Sequence, residues 1–275
     1  MKIIIACFSG LFFFMTAYCQ QAVHFTMGIL PNINYDNTVI QKIKIELNLD
    51  SSNAEMISKM EANGMKNPTI QEQETRMESL IKSGSLNSQT GKMPVVTSIL
   101  ASDEKISKLL TPDTKFIGTA RLNELPVYDS ITGINLDASQ KIQMLKLISS
   151  MSQINLPDKS LKPGESDTLH TPMSIPIAGV DMKMDYVTIY HLKSVRGTMA
   201  LFDVSVKFNL NMELKDLPVD GFGSGNGLME YDLKNLYPTL YKLNYLIKMR
   251  IAKQGLIMHM NMTSDLTSTC RIQAS

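Results

Sequence analysis

From Ala200 to Leu214 every second residue is apolar (Ala200, Phe202, Val204, Val206, Phe208, Leu210, Met212, Leu214). The residues between them are mostly polar: Asp203, Ser205, Lys207, Asn209, Asn211 and Glu213. A strict period of two over this length fits an extended strand with one face buried and the other wet, and no helix satisfies it. The same alternation runs through Met182–Lys193, joined to it by a link around Gly197 short enough for an antiparallel hairpin. It recurs in Tyr241–Ile251 and in Leu256–Met262, separated by a turn at Ala252–Gly255, and in Thr38–Leu49. The chain is therefore read as mainly β with minor α.

Three segments depart from that pattern. Asp137 followed three residues later by Gln140 is a capping-box signature, and Ile142, Leu145, Ile148 and Met151 then recur at helical spacing. A helix over 137–153 is predicted, ended by Pro157 and Pro163–Gly164. Gly221, Gly223, Gly225 and Gly227 fall on alternate positions, with neither the Lys-Ser/Thr nor the helix that a phosphate loop needs. They are read as a hairpin loop or bulged strand before a short strand at Leu228–Leu233. Ser51–Asn63 suggests a short helix or loop. Residues 67–82 carry signals for a capped helix and for a strand, with strand preferred. That preference comes from a faint internal repeat, in which Met77–Gly84 and Gly91–Val96 match Ile189–Val195 and Gly197–Ala200. The same repeat matches Gly118–Pro126 to Gly227–Leu233. The expected division is 1–19 leader, 20–134 N-terminal β-rich half, 135–160 helix and linker, and 161–275 C-terminal antiparallel half.

Residues 1–19 have the layout of an export signal. Lys2 is followed by a nearly unbroken apolar run to Ala17, and Ala17-Tyr18-Cys19 precedes polar Gln20 and Gln21. The run falls short of the ~20 residues a membrane helix requires. Cleavage between Cys19 and Gln20 is expected. The alternative, a lipoprotein anchored at Cys19, is disfavoured by bulky Tyr18 in front of it. Cleavage there removes Cys7 and Cys19 and leaves Cys270, so the mature chain has no intramolecular disulfide. That suits a bacterial periplasm or cell envelope better than a disulfide-stapled secreted domain.

The whole chain carries 27 basic and 26 acidic residues, and loss of Lys2 balances them. With no basic run to neutralise phosphates, nucleic-acid binding is disfavoured. No H-E-x-x-H spacing and no Gly-x-Ser-x-Gly elbow occurs, so no enzyme activity is expected, and no cofactor. Twenty methionines raise the question of soft-metal binding, with Met258, Met260 and Met262 on one face of a strand and His259 on the other. Residues two apart on a strand are ~6.8 Å apart, too far for three neighbours to share one ion without ligands from a second strand. Met182 and Met184 are the candidates for that second strand. The preferred reading makes all five methionines the lining of a lipophilic groove, since an unbranched thioether adapts to irregular shapes. Expected partners are a lipid, another hydrophobic ligand or a protein segment; the competing reading is an interaction protein without a small-molecule ligand.

The succession of Leu156-Pro157-Asp158-Lys159 leading to Lys162-Pro163-Gly164-Glu165, Met182-Lys183-Met184, the Gly197 hairpin, the Gly-rich stretch and Met258–Met262 resembles a family of exported bacterial proteins known as a domain of unknown function. The resemblance covers roughly residues 28–272. The family's Trp after the Gly-Glu/Asp step is missing, since the chain has no Trp. The resemblance implies an antiparallel sheet curved around a helix and carries no activity.

Overall fold

The alternating segments assemble into one antiparallel sheet. The computed structural model describes residues 22–51, 57–59, 62–64, 66–103, 110–151, 156–157, 159–177, 180–214, 217–253 and 256–275. Its strands are β1 (Ile33–Ser51), β2 (Thr69–Ser83), β3 (Lys92–Ser102), β4 (Lys115–Arg121), β5 (Val127–Thr132) and β6 (Ser166–Ile177). The rest are β7 (Val180–Arg196), β8 (Met199–Leu214), β9 (Leu217–Asp232), β10 (Tyr237–Lys253) and β11 (Leu256–Ala274); a helix, α1 (Ala138–Met151), stands between β5 and β6, and residues 57–59 are also helical. The order across the sheet is β5-β4-β3-β2-β1-β11-β10-β9-β8-β7-β6. Two meanders thus run outward from the centre, where the first and last strands pair from Ile33 opposite Ala274 to Ser51 opposite Leu256. The edges are blunted: β5 is short, and β6 carries Pro172 and Pro176, which donate no backbone hydrogen bond.

The sheet is curled. In a flat sheet the nearest strands of the β4–β5 and β9–β10 turns, β4 and β10, are five steps and about 24 Å apart. Yet the consecutive residues Gly28 and Ile29 donate backbone hydrogen bonds to Leu236 O (3.2 Å) and Glu124 O (3.1 Å), one in each turn. Residues 22–32 form a strap across this end of the sheet. It begins at Val23, bridged to Leu161 in both directions at 2.9 Å, and reaches Asn32, whose N–H donates to Gly84 O. Gly28 is required here, because a Cβ would overlap the backbone of Asn123. The Tyr231 hydroxyl donates to Thr26 O.

One face of the sheet, here the inner face, carries the core. Phe25 of the strap packs edge-on against Phe202 (centroids 4.9 Å apart) and Tyr231 (5.6 Å), within a cluster that includes Leu161, Tyr190, Leu192, Val204, Val206, Met229 and Leu243. Ile29 joins Tyr35, Met93, Val95, Ala120 and Cys270 in a second cluster. The outer face is mixed: exposed pairs such as Lys42–Glu74 (3.5 Å), Lys44–Glu72 (3.3 Å) and Lys193–Asp203 (3.3 Å) share it with exposed Ile70, Ile117, Phe222 and Leu246.

The glycine-rich stretch is neither loop nor bulge. It is the middle of β9, paired without a register shift from Val219 to Met229 against both neighbours; of the predicted strand Leu228–Leu233, all but Leu233, which opens the turn, continues β9. All four glycines take inner-face positions. Their missing side chains let Phe208 of β8 and Tyr245 of β10 meet across β9 with centroids 5.6 Å apart. Glycine on the concave side of one strand is a way to bend a sheet sharply there.

Residues 69–83 are a strand, as preferred. The capped-helix alternative fails because Asn67 spends its amide on β1, accepting from Leu49 N (2.9 Å) and donating to Leu49 O (2.8 Å). In α1 the capping box forms reciprocally: Gln140 N donates to Asp137 Oδ1 (2.8 Å), and Asp137 N donates to Gln140 Oε1 (3.1 Å). Its buried stripe differs from the predicted one. Met144, Leu145 and Ile148 pack on Ile99, Phe116, Tyr128 and Ile131, whereas Ile142 is 56% exposed. Among the described residues the helix thus lies against β5 and the β3–β5 cluster, and a sheet wrapped around a helix is not what these contacts form. Residues matched by the internal repeat sit at comparable hairpins of the strapped end: the β2–β3 and β7–β8 turns hold Gly91 (φ 65°) and Gly197 (φ 58°). The predicted leader, 1–19, and the expected cleavage position at Cys19 and Gln20 lie outside the described residues.

Candidate functional site

The strap covers the inner face at one end only. At the other end the alternation of β1, β10 and β11 continues with nothing packed over it among the described residues. Antiparallel register places Leu49, Met258 and Ile251 side by side on this face, then Leu47, Met260 and Met249, then Ile45, Met262 and Ile247. These nine side chains are half-buried, and apart from Ile247 they belong to none of the three core clusters. Ile43 extends the row on β1.

Deeper along the same strands the apolar row ends on a polar layer. Gln41, beside Leu266 in β11, points its amide at Tyr245 Oη (3.3 Å) and at the buried Ser264 Oγ (3.1 Å), donating to both. Tyr245 sits opposite Ser264 in the register, so residues from three adjacent strands meet here. Next to them, the hydroxyls of Tyr241 of β10 and Tyr186 of β7 interact across the curl. Burial pushes the Tyr186 phenol up, partly offset by hydrogen bonds from Thr188 and Tyr241. Burial also drives the Tyr190 and Tyr241 phenols well above the usual tyrosine range. Below this floor the face is sealed by Leu243, Val204 and Val206. From Tyr245 to Ile251 the strand rises about 20 Å, which sets the depth of the open end.

Of the residues singled out in the sequence, Met258, Met260 and Met262 lie in the open row, and His259 takes the opposite, outer face. Met182 and Met184 stand at register positions opposite Ile175 and Met173 of β6, and Met184 also opposite Leu210 of β8. β7 is four strands removed from β11, so the two methionine groups do not occupy neighbouring strands, and a shared ion between paired strands is not what the register builds. Among the described residues no group of three or more His, Cys, Asp or Glu is arranged to hold a metal. Glu72 and Glu74 answer Lys44 and Lys42 on the outer face, and Asp103 accepts from Arg76 N at 3.0 Å. Cys270 is buried beside Tyr35, and burial pushes its thiol up to about 12. The floor of Gln41, Tyr186, Tyr241, Tyr245 and Ser264 was not foreseen. Tyr241 and Tyr245 stood on the apolar side of the β10 alternation, but nothing in the sequence put Gln41 beside them.

The fold and this face together define an antiparallel β protein with a mixed exterior and an inner surface that is mostly apolar among the described residues. No family model matches the chain, and no curated protein matches it. Among solved structures it is similar to Ail, the attachment invasion locus protein of Yersinia pestis, at 8% identity over 84% of this chain and 97% of that one, with a TM-score of 0.15. An overlap at that TM-score carries no argument about this chain. Among the described residues no helix is long and apolar enough to cross a membrane.

Proposed function

We propose that this is an exported bacterial envelope protein that binds a hydrophobic ligand on its inner face without catalysis. The single observation that carries the reading is the half-buried row of Ile43, Ile45, Leu47, Leu49, Met249, Ile251, Met258, Met260 and Met262, over which no other element packs among the described residues. Apolar area gains roughly 25 cal/mol per Å² when it leaves water, so a contiguous half-exposed row attracts an apolar partner. A concave, mostly apolar surface with a few convergent polar groups is the usual form of a small-molecule site. The export layout of residues 1–19 and the resemblance carried by 156–165, 182–184 and 258–262 support the envelope address.

The orientation of the faces also speaks for a ligand coming to the protein rather than the protein entering a bilayer. A membrane-spanning barrel turns a continuous apolar band outward, whereas here the ion pairs of Lys42, Lys44 and Lys193 with Glu74, Glu72 and Asp203 interrupt the exposed apolar residues Ile70, Phe222 and Leu246 on the outer face.

The competing reading, an interaction protein that fills its own concavity, has the strap in its favour, because Phe25 and Ile29 occupy the far end of the face. The two readings separate on one experiment. Organic extraction of protein purified from its membrane-containing host, followed by mass spectrometry, yields a stoichiometric apolar compound under the binding reading. An empty extract, with no uptake from added lipid, favours the interaction protein.

A further inference from the structure

The character of the floor narrows what the open end accepts. Along the described inner-face positions of β1 (39–49), β2 (69–77), β10 (241–251) and β11 (258–268) there is no charged side chain. The row is Val39, Gln41, Ile43, Ile45, Leu47 and Leu49 on β1, and on β2 Thr69, Gln71, Gln73, Thr75 and Met77. The polar groups at depth are an amide, hydroxyls and phenols, which both donate and accept hydrogen bonds and carry no charge. Burying a carboxylate or an ammonium without a counter-charge is far more costly than burying a hydroxyl or an amide that finds a hydrogen-bond partner. Lys42 and Lys44, the nearest lysines in β1, point to the opposite face, where Glu74 and Glu72 hold them.

We infer that the site takes an uncharged single-chain amphiphile, with its hydroxyl, ester or amide head on Gln41, Tyr245 and Ser264 and its hydrocarbon tail along the Leu47, Met260 and Met249 row. This inference rests on the binding reading above and adds the identity of the head group. The raised phenols of Tyr186 and Tyr241 agree with it, since the same burial that disfavours a phenolate disfavours any anion placed beside them. A long-chain acid ionised at neutral pH is excluded by the same reasoning, although its tail would fit equally well.

The test uses the full mature chain, whose tyrosines are its intrinsic fluorophores because it has no Trp. Tyrosine emission is followed while monopalmitoylglycerol, palmitamide, palmitate or palmitoyl-lysophosphatidylcholine is added below its micellar concentration. Monopalmitoylglycerol or palmitamide is expected to bind at least tenfold more tightly than palmitate at pH 8. Palmitate should gain affinity at pH 5, where its carboxyl becomes protonated. Gln41→Leu and the milder Tyr245→Phe are each expected to shrink the preference for the neutral ligands to threefold or less, while tail-driven binding persists. Equal binding of all four amphiphiles, or tightest binding of palmitate at pH 8, overturns the head-group inference and leaves the hydrophobic-ligand reading standing. Failure of every amphiphile to bind overturns that reading itself.

Discussion

Replacing Gly225 by Ala sets local propensity against tertiary packing. In a strand with ordinary backbone angles, alanine is expected to stabilise by ~0.4–1 kcal/mol because it restricts the unfolded chain. The curled sheet reverses the sign. A Cβ at 225 would lie 2.5 Å from Asn244 O, 2.6 Å from Tyr245 Cβ and 2.9 Å from Val206 Cγ2. Two of these atoms belong to, or are rigidly tied to, the β10 backbone, so no flexible side-chain tip can yield, and relief requires β10 to move away. Overpacking of this kind costs roughly 1–3 kcal/mol. Subtracting the midpoint of the propensity gain from the midpoint of the overpacking cost leaves a net loss of about 1.3 kcal/mol, which for a chain of this size lowers Tm by about 3–5 °C. Thermal unfolding followed by far-ultraviolet circular dichroism measures it, with Ser224→Ala on the exposed outer face as the control that stays near wild type. A Gly225→Ala protein as stable as wild type, or more so, would refute the claim that β9 is bent through its glycines.

Phe25→Ala removes the ring that anchors the strap on Phe202 and Tyr231. A buried Phe→Ala change costs about 3–5 kcal/mol, read as a lowered urea midpoint; a loss below 1 kcal/mol would mean that the strap does not close the end of the sheet. Asp137→Ala deletes half of the α1 capping box. It is expected to cost about 0.5–2 kcal/mol and to raise amide exchange in the first turn of α1, and unchanged exchange there contradicts the cap. Alkaline pH should destabilise the fold. Cys270 holds its proton to about 12 when folded, against an ordinary value of 9.0, and burial raises the phenols of Tyr35, Tyr128, Tyr190 and Tyr231. Over that window the unfolded chain binds fewer protons than the folded one, so stability falls as pH rises. The urea midpoint should decline between pH 9 and 12, less steeply in Cys270→Ala, and a flat or rising profile contradicts the burial of these groups.

Much of the sheet was legible in the sequence because its strands are half-wet. Lys42, Lys44, Lys207, Asn209, Lys242 and Lys248 interrupt the apolar residues with a period of two, so β1, β8 and β10 announce themselves. The capping box at Asp137 and Gln140 was equally plain, as both of its bonds are local. What could not be read was long-range. Nothing local tells β1 to pair with β11, and so the methionines of β7 and β11, alike in pattern, were candidates for one cluster until the strand order put four steps between them. Gly221–Gly227 was misread for a related reason. Glycine at alternate positions weakens a strand judged alone, and its merit shows only when Phe208 and Tyr245 close over it. The strap has no period at all. Phe25 and Ile29 look like parts of a loop until Leu236, Glu124 and Leu161 are seen to hold their neighbours. The floor was hidden because Gln41 interrupts an apolar face, which in sequence reads as a flaw in the strand rather than as a hydrogen-bonding group.

Under the proposed function, the end of the inner face away from the strap binds an apolar molecule. Titration with N-phenyl-1-naphthylamine, whose emission rises in apolar surroundings, tests it directly when wild type is compared with a Leu47→Glu, Met260→Glu double variant. These two side chains face each other across β1 and β11 in the middle of the open row, half-buried in both cases. Saturable binding of one dye per wild-type chain is expected, with at least a tenfold loss of affinity in the variant and Tm within a few degrees of wild type. Equal binding by both proteins, or no saturable binding by wild type, would contradict it.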